Sequence, residues 1–191
     1  MTGGAGRLIV LSGPSGVGKD TVIPELMRIR PTLRRPVAYT TRAPRAGEVD
    51  GRDYTFVDGD RFQEMEAEGD FLETATVHGH RYGTSKRRVG QLLQVGAEVL
   101  LKPDVQGAAR LRDLGLVDVF IFLAPPSEEE LRERLEARRT EDPGDLETRR
   151  RDSVAELREA GWYQHVVVND QVARAALEID RILSTGRAPA A

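Results

Sequence analysis

The segment Gly13-Pro-Ser-Gly-Val-Gly18-Lys19 constrains the fold most strongly, because it matches the glycine-rich phosphate loop G-x-x-x-x-G-K. It follows an apolar run from Arg7 that predicts a buried strand, and it precedes a predicted helix from about Lys19 to Arg30. Backbone N–H groups of such a loop, together with the helix N-terminus, favour a bound phosphate. A glycine-rich turn without a ligand is the alternative, but the strand–loop–helix context favours phosphate binding.

The residue after the lysine is unusual for this loop. Serine or threonine, whose hydroxyl binds Mg²⁺, is usual there, but this chain has Asp20, and Thr21 comes one position later. A carboxylate is a hard oxygen ligand that suits Mg²⁺. The sequence therefore predicts a triphosphate-binding loop with Asp20 as a candidate magnesium ligand, made of Gly13, Pro14, Ser15, Gly16, Val17, Gly18, Lys19, Asp20 and Thr21.

Composition limits the other classes of protein. The chain has 191 residues, which suits one domain, and its 39% apolar residues suffice for a core. No apolar run approaches the roughly 20 residues of a membrane span. Cysteine is absent and the net charge is −3. We therefore expect no disulfide, no thiolate metal site, no general attraction for nucleic acid, no membrane partner and a cytoplasmic location.

Apolar strands alternate with helices, a pattern typical of an α/β fold with a parallel sheet covered by helices. Two regions interrupt it. Residues 38–88 are polar and β-rich and are predicted as an insertion, in which Asp60 is a candidate helix N-cap. Residues 127–160 are predicted as a charged helical lid that begins with a capping box at Ser127. We expect neither region to hold a core of its own, and we expect the core to be residues 1–37, 89–126 and 161–191, with His165–Asn169 as a buried strand.

Residues 39–57 concentrate arginine, tyrosine and glycine in a loop-rich stretch. Arg42 and Arg45 are able to clamp a phosphate with paired hydrogen bonds, and Tyr54 is able to donate its hydroxyl. Taken alone, the stretch favours a solvated loop with incidental arginines.

The same stretch reads T-T-R-x-P-R-x-G-E-x-x-G-x-D-Y, which resembles the GMP-binding signature of guanylate kinases. Further motifs of that family follow in order and extend the resemblance over nearly the whole chain: Phe71-Leu-Glu73, Tyr82-Gly-Thr84, Asp104-Val-Gln-Gly107, Ala124-Pro-Pro-Ser127 and Val168-Asn-Asp170. The resemblance implies a P-loop three-layer α/β fold with a parallel sheet, a GMP-binding insertion and a helical lid. It also implies Mg²⁺-dependent transfer of a phosphoryl group from ATP to GMP or dGMP, in purine nucleotide metabolism.

The resemblance also implies roles for individual residues. The GMP phosphate would be held by Arg42, Arg45, Tyr54 and Tyr82. Glu73 would accept hydrogen bonds from the guanine N1–H and amino group, with Thr84 and Asp104 nearby; guanine presents these two donors side by side and adenine does not. Asn169 would lie near the ATP base, and the catalytic cations would be Lys19, Arg42, Arg134, Arg138 and Arg149.

The chain departs from the family pattern at three positions. Besides Asp20, Lys102 stands where many members have aspartate, and Ala38 stands where some have a serine that touches guanine. Asp20 and Lys102 are predicted to face each other and to balance the local charge; the alternative is that Lys102 points to solvent.

Two other functions stay open at this point. One is a kinase for another small phosphate acceptor such as ribose 1,5-bisphosphate, since ribose bisphosphate kinases also carry aspartate after the loop lysine but lack the T-T-R-x-P-R signature. The other is a non-catalytic module that binds phosphopeptides. The pair His78 and His80 is an improbable metal site without a third ligand. The oligomeric state is not predicted.

Overall fold

The computed structural model describes residues 6–77, 79–136 and 153–185. His78, Arg138, Arg149 and part of the predicted lid lie outside the described residues. The chain divides into two compact units: one comprises Met1–Leu8 and Leu33–Asp118, the other Ile9–Thr32 and Val119–Ala191. The predicted division into core, insertion and lid is a functional one and stays a prediction.

Strands of the described chain form two sheets, and the α/β class with a parallel sheet is confirmed. The strands are β1 (Arg7–Ser12), β2 (Leu33–Arg34), β3 (Tyr39–Thr40), β4 (Thr55–Phe56), β5 (Phe71–Val77), β6 (His80–Ser85), β7 (Glu98–Leu101), β8 (Val119–Ala124) and β9 (His165–Val168). A five-stranded parallel sheet has the order β2-β7-β1-β8-β9, and a four-stranded sheet has the order β4-β3-β6-β5.

The helices follow the strands in the order that the alternation predicts. They are α1 (Lys19–Ile29), α2 (Gly59–Ala67), α3 (Lys86–Gln94), α4 (Val105–Asp113), α5 (Glu128–Glu136) and α6 (Val172–Thr185), with a 3₁₀ turn at Arg158–Trp162. Helix α1 packs against α6, and the Arg30 guanidinium donates to Asp180 of α6 at 2.7 Å. No helix among the described residues is long and apolar enough to cross a membrane.

Of three local predictions, two helix caps and one buried strand, one is confirmed, one is wrong and one is partly confirmed. The Ser127 cap is confirmed, because its hydroxyl accepts from the Glu130 N–H at 3.1 Å. The Asp60 cap is wrong: Asp58 caps α2 and accepts from the Arg61 N–H at 2.7 Å, since the helix begins at Gly59 and places Asp60 inside its first turn. The predicted buried strand at β9 is only partly buried. Val167 is inaccessible, but Val166 and Val168 remain 49% and 42% exposed at the edge of the sheet.

The polar region 38–88 contains a small core that the sequence pattern does not predict. Phe62 and Met65 of α2 pack on Phe71 of β5, and Tyr39 and Val57 cover this cluster. The rings of Phe62 and Phe71 stack at 4.6 Å between centroids. Each aromatic ring buries a large apolar area. The side chains of Phe62, Met65 and Phe71 therefore hold α2 on the four-stranded sheet.

Candidate active site

The predicted phosphate loop connects the buried strand β1 to α1, as its motif requires. Its three glycines have positive φ angles of 143° at Gly13, 81° at Gly16 and 100° at Gly18. A Cβ at Gly13 would lie 2.3 Å from the Leu123 carbonyl oxygen, and a Cβ at Gly18 would lie 2.4 Å from Nδ2 of Asn169. Both the backbone conformation and the packing therefore demand glycine here.

Polar side chains hold this loop in shape. The Lys19 ammonium donates to the carbonyl of Gly13 and, at 3.0 Å, to that of Pro14. Asn169, which is buried, donates through Nδ2 to the Val17 carbonyl at 2.8 Å. The Arg134 guanidinium donates to the same carbonyl at 3.3 Å and to the Asn169 carbonyl at 2.9 Å. Lys19, Arg134 and Asn169, predicted from separate motifs, are thus brought to one loop.

Residues 153–157 also form hydrogen bonds with the phosphate loop. The Glu156 carboxylate accepts from the Ser15 N–H at 3.1 Å, and the Ser153 hydroxyl donates to the Ser15 carbonyl at 3.4 Å. The backbone N–H and the backbone carbonyl of Ser15 are therefore both held by this segment. Sequence reasoning missed these two residues, because they lie beyond the predicted lid arginines and match no motif.

Asp20 lies in the first turn of α1 and is exposed. The Thr21 hydroxyl donates to the Gly18 carbonyl at 2.8 Å. Within the part of the chain that the structure describes, no three histidine, aspartate or glutamate side chains converge on a metal site. One exposed carboxylate at the phosphate loop nevertheless fits Mg²⁺, which is usually held by one or two carboxylates and the oxygens of a phosphate substrate.

The other unit contains the predicted acceptor residues, and Arg42 is its most constrained cation. Arg42 is only 9% exposed, and its guanidinium donates to both carboxylate oxygens of Glu48, at 2.8 and 3.0 Å. It also lies against the rings of Tyr54 and Phe56. The hydrogen bonds from Arg42 hold the pKa of Glu48 below its usual value, and the same pair raises the pKa of Arg42. Sequence reasoning quoted Glu48 within the signature but gave it no role.

Tyr54 and Tyr82 lie beside this pair. Their ring centroids are 5.9 Å apart in an edge-to-face arrangement. Arg45 has an exposed side chain, while its N–H donates to Glu48 at 2.8 Å. Glu48 thus holds the Arg42 guanidinium and the Arg45 N–H, while the Tyr54 ring lies against Arg42 and the Tyr82 ring lies against Tyr54.

A buried carboxylate lies further along the same sheet. Glu73 of β5 is 9% exposed and pairs in register with Thr84 of β6, whose hydroxyl donates to Oε1 at 2.7 Å. Asp104 caps α4 by accepting from the Gly107 N–H at 2.7 Å. A Cβ at Gly107 would lie 2.7 Å from Oε2 of Glu73 and 3.1 Å from Oδ1 of Asp104. Glu73, Thr84 and Asp104, which were predicted from separate motifs, therefore lie close together beside Gly107.

The surroundings of Glu73 disfavour the ionised form of its carboxyl group. Burial raises the pKa of Glu73; the Thr84 hydrogen bond lowers it, nearby Asp104 raises it again, and Arg110 lowers it. Sequence reasoning did not single out Gly107 or Arg110. The D-V-Q-G motif contains the signal for Gly107, whereas Arg110 lies outside every motif quoted above.

Ala38 and Lys102 are the two further positions at which the chain departs from the family pattern. The Ala38 carbonyl accepts the Thr55 N–H at 2.8 Å, which joins β4 to the residue before β3. Lys102 and Asp20 lie in different units, and their pairing stays a prediction.

Comparisons with known proteins agree with one another. A family model described as guanylate kinase matches residues 5–186. The chain is 45% identical over 183 residues to a guanylate kinase of Geobacter metallireducens, covering 95% of this chain and 90% of the relative. It is 46% identical over 177 residues to one of Gloeobacter violaceus, covering 93% and 86%. A crystal structure of guanylate kinase from Anaplasma phagocytophilum superposes with a TM-score of 0.78 at 32% identity, covering 95% of this chain and 86% of that one.

Proposed function

The chain belongs to the guanylate kinase family, and we propose that it uses Mg²⁺ to transfer the γ-phosphoryl group of ATP to GMP or dGMP through the residues described above. It is a nucleoside monophosphate kinase that acts on GMP with ATP, so the resemblance inferred from the motifs is confirmed.

The buried Glu73 carboxylate is the observation that carries the assignment of the guanine subsite. Its Oε1 already accepts one hydrogen bond from Thr84, and the carboxylate retains lone pairs for the adjacent N1–H and amino donors of guanine. A site with buried acceptors rejects a ligand that lacks the matching donors, because the acceptors then remain unpaired. Adenine lacks this donor pair, so the arrangement favours GMP over AMP.

The group around Arg42 is proposed to hold the GMP phosphate. Glu48 fixes the guanidinium through two hydrogen bonds, and Tyr54 and Tyr82 place phenol rings beside it. A guanidinium that is already positioned loses less freedom when it binds a phosphate. Exposed Arg45 adds a second cation at the end of the same loop.

The phosphate loop is proposed to bind the ATP triphosphate. Lys19 and Arg134 would lie beside the transferring group and stabilise the charge on its oxygens. Mg²⁺, when bound, would neutralise charge on the ATP phosphates, and Asp20 is the residue proposed to hold it. Arg138 and Arg149 are proposed as further catalytic cations. Asn169 is proposed to support the loop, and its proposed proximity to the ATP base stays a prediction.

The rival functions are not favoured by the comparisons, which return guanylate kinases at 40 to 46% identity. A ribose bisphosphate kinase would not need a buried acceptor for a purine edge. A phosphopeptide-binding module would not need the loop lysine and its supports. We propose that this activity belongs to purine nucleotide metabolism in the cytoplasm.

A coupled assay of ADP formation tests the proposal directly. With ATP and Mg²⁺, GMP and dGMP are expected to be good acceptors, whereas AMP, UMP and ribose phosphates are expected to be poor. The variant Lys19→Ala removes the proposed phosphate-binding ammonium and is expected to abolish turnover. Faster turnover with a ribose phosphate than with GMP would overturn the proposal. Full activity after removal of divalent metal with a chelator would overturn the magnesium assignment.

A further inference from the structure

Arg110 of α4 lies next to the proposed guanine subsite, although no motif points to it. Its guanidinium donates to the Thr74 carbonyl, the carbonyl immediately after Glu73 in β5. Arg110 follows Gly107 by three residues, and residues three apart share one face of a helix. Since Gly107 closely approaches the Glu73 carboxylate, the face of α4 that carries Arg110 is turned towards β5.

Glu73 and Arg110 also line the same cavity. It has a volume of about 250 Å³ and lies between α2, β5 and α4, where Glu66 and Leu114 complete part of its wall. Arg110 is exposed, so its charge reaches Glu73 from the solvent side of the subsite and is partly screened by water.

The charges that face Glu73 are mostly negative. Asp104 at the start of α4 is an anion and raises the pKa of Glu73, as burial does. Glu66 of α2 adds a further carboxylate to the cavity, although it pairs with Arg81. Among the described residues that shift the pKa of Glu73, Arg110 is the one cation.

The charge state of Glu73 matters for guanine recognition. An ionised carboxylate accepts both purine donors, whereas a protonated one turns one oxygen into a donor that opposes them. The subsite therefore needs a group that favours the ionised form and that does not itself occupy the space of the base.

We propose that Arg110 is a positioning residue for guanine selection: its hydrogen bond to the Thr74 carbonyl holds the guanidinium at the cavity that Glu73 lines, where its positive charge offsets the neighbouring carboxylates. This inference rests on the proposed function of Glu73 as the acceptor for guanine. Arg110 acts through Glu73 and is not assigned a contact with the base.

The test is the pH dependence of kcat/KM for GMP in three variants. Arg110→Gln is expected to move the acidic limb of the profile to higher pH by about half a pH unit, which lowers kcat/KM roughly threefold at the acidic end. At alkaline pH, where Glu73 is ionised in either protein, the variant and the parent are expected to converge. Arg110→Lys keeps the positive charge and is expected to keep the limb near its original place.

Arg112→Gln is the matched control, because it removes the same charge from an exposed position of the same helix. It is expected to leave the profile unchanged. Equal profiles for Arg110→Gln and the parent protein, or equal displacement by Arg112→Gln, would overturn the inference. A loss of kcat/KM that is the same at every pH would also overturn it, since a purely structural role predicts that pattern.

A companion variant separates this inference from the guanine subsite itself. Glu73→Gln removes the titrating group and is expected to abolish both the acidic limb and most of the preference for GMP over AMP. If Glu73→Gln leaves that preference intact, the assignment of the subsite fails. If it removes the preference while Arg110→Gln retains the parent profile, only the role of Arg110 fails.

Discussion

Glu73 illustrates a conflict between folding and function at a single residue. The fold buries its carboxylate to 9% exposure and places Asp104 nearby, and both conditions disfavour a negative charge. The guanine recognition proposed for Glu73 nevertheless requires the charged form, because only that form accepts two hydrogen bonds side by side. Substituting this residue should therefore separate the requirements of binding from those of stability.

For Glu73→Gln we expect the ratio of kcat/KM for GMP to that for AMP to fall by roughly 10- to 100-fold. This corresponds to about 1–3 kcal/mol for the loss of a two-point contact with a base edge. Initial rates with both nucleotides at saturating ATP measure the ratio. Glu68→Gln, an exposed position at the end of α2, is the control. An unchanged ratio would show that Glu73 does not read the base.

The same variant is expected to be more stable than the parent protein without ligands at neutral pH. Because burial raises the pKa of Glu73 in the folded state, folding favours the protonated form, and the stability contributed by this residue is lost as pH rises through its folded-state pKa. Glutamine stays neutral and keeps an acceptor for Thr84. Urea unfolding should show the difference at pH 8 and a smaller one near pH 5. A difference that grows towards acidic pH would contradict this account.

Gly107 is required by the close approach of its backbone to Glu73. Alanine normally stabilises a helix by up to about 1 kcal/mol relative to glycine, but here its Cβ would lie 2.7 Å from Oε2 of Glu73 and 2.9 Å from Cβ of Pro103. We expect Gly107→Ala to raise KM for GMP and to leave KM for ATP unchanged. Gly90→Ala in α3 is the control, since a Cβ there meets nothing within 4 Å. Similar KM values for both variants would refute this role.

At the scale of elements, the phosphate loop depends on side chains from distant segments. Asn169 follows β9 and supplies a buried hydrogen bond to Val17. Asn169→Ala leaves the Val17 carbonyl with the 3.3 Å contact from Arg134. Loss of a buried hydrogen bond costs about 1 kcal/mol. We therefore expect lower stability and a higher KM for ATP, with KM for GMP unchanged. Gln171→Ala, at a nearby exposed position, is the control.

Equal ATP kinetics for Asn169→Ala and the parent would contradict a role in loop support. Selective loss of discrimination between ATP and GTP as phosphoryl donors would instead favour the predicted place of Asn169 near the ATP base.

The sequence predicts those elements whose formation depends on local pattern. Strands β1, β7 and β8 are recognisable because each is a run of apolar residues that is buried on both faces. β9 has an equally apolar sequence, yet it is half exposed, because its position at the sheet edge is decided by strand order rather than by composition. The two-residue strands β2, β3 and β4 are too short to leave a pattern, and they form only because a neighbouring strand supplies hydrogen bonds.

At the scale of the whole molecule, the candidate site was predictable as a set of motifs but not as a set of contacts. Glu73, Thr84 and Asp104 belong to three motifs, and the resemblance alone suggested that they meet. Gly107 and Arg110, which lie beside them, and Glu48, which holds Arg42, were missed because their roles consist of contacts that exist only in the folded chain. Small apolar clusters are missed for the same reason: Phe62, Met65 and Phe71 form a core only when α2 lies on β5.

Phosphoryl transfer also makes a demand on the whole chain, since water competes with GMP for the γ-phosphoryl group. Kinases of small substrates meet this demand by closing mobile segments around both ligands, and residues 38–88 and 127–160 are the predicted segments here. We expect the radius of gyration from small-angle scattering to fall when a non-hydrolysable ATP analogue and GMP are both present, and to fall less with either alone. AMP in place of GMP is the control and should produce less compaction. Identical scattering with and without both ligands would contradict closure of these segments.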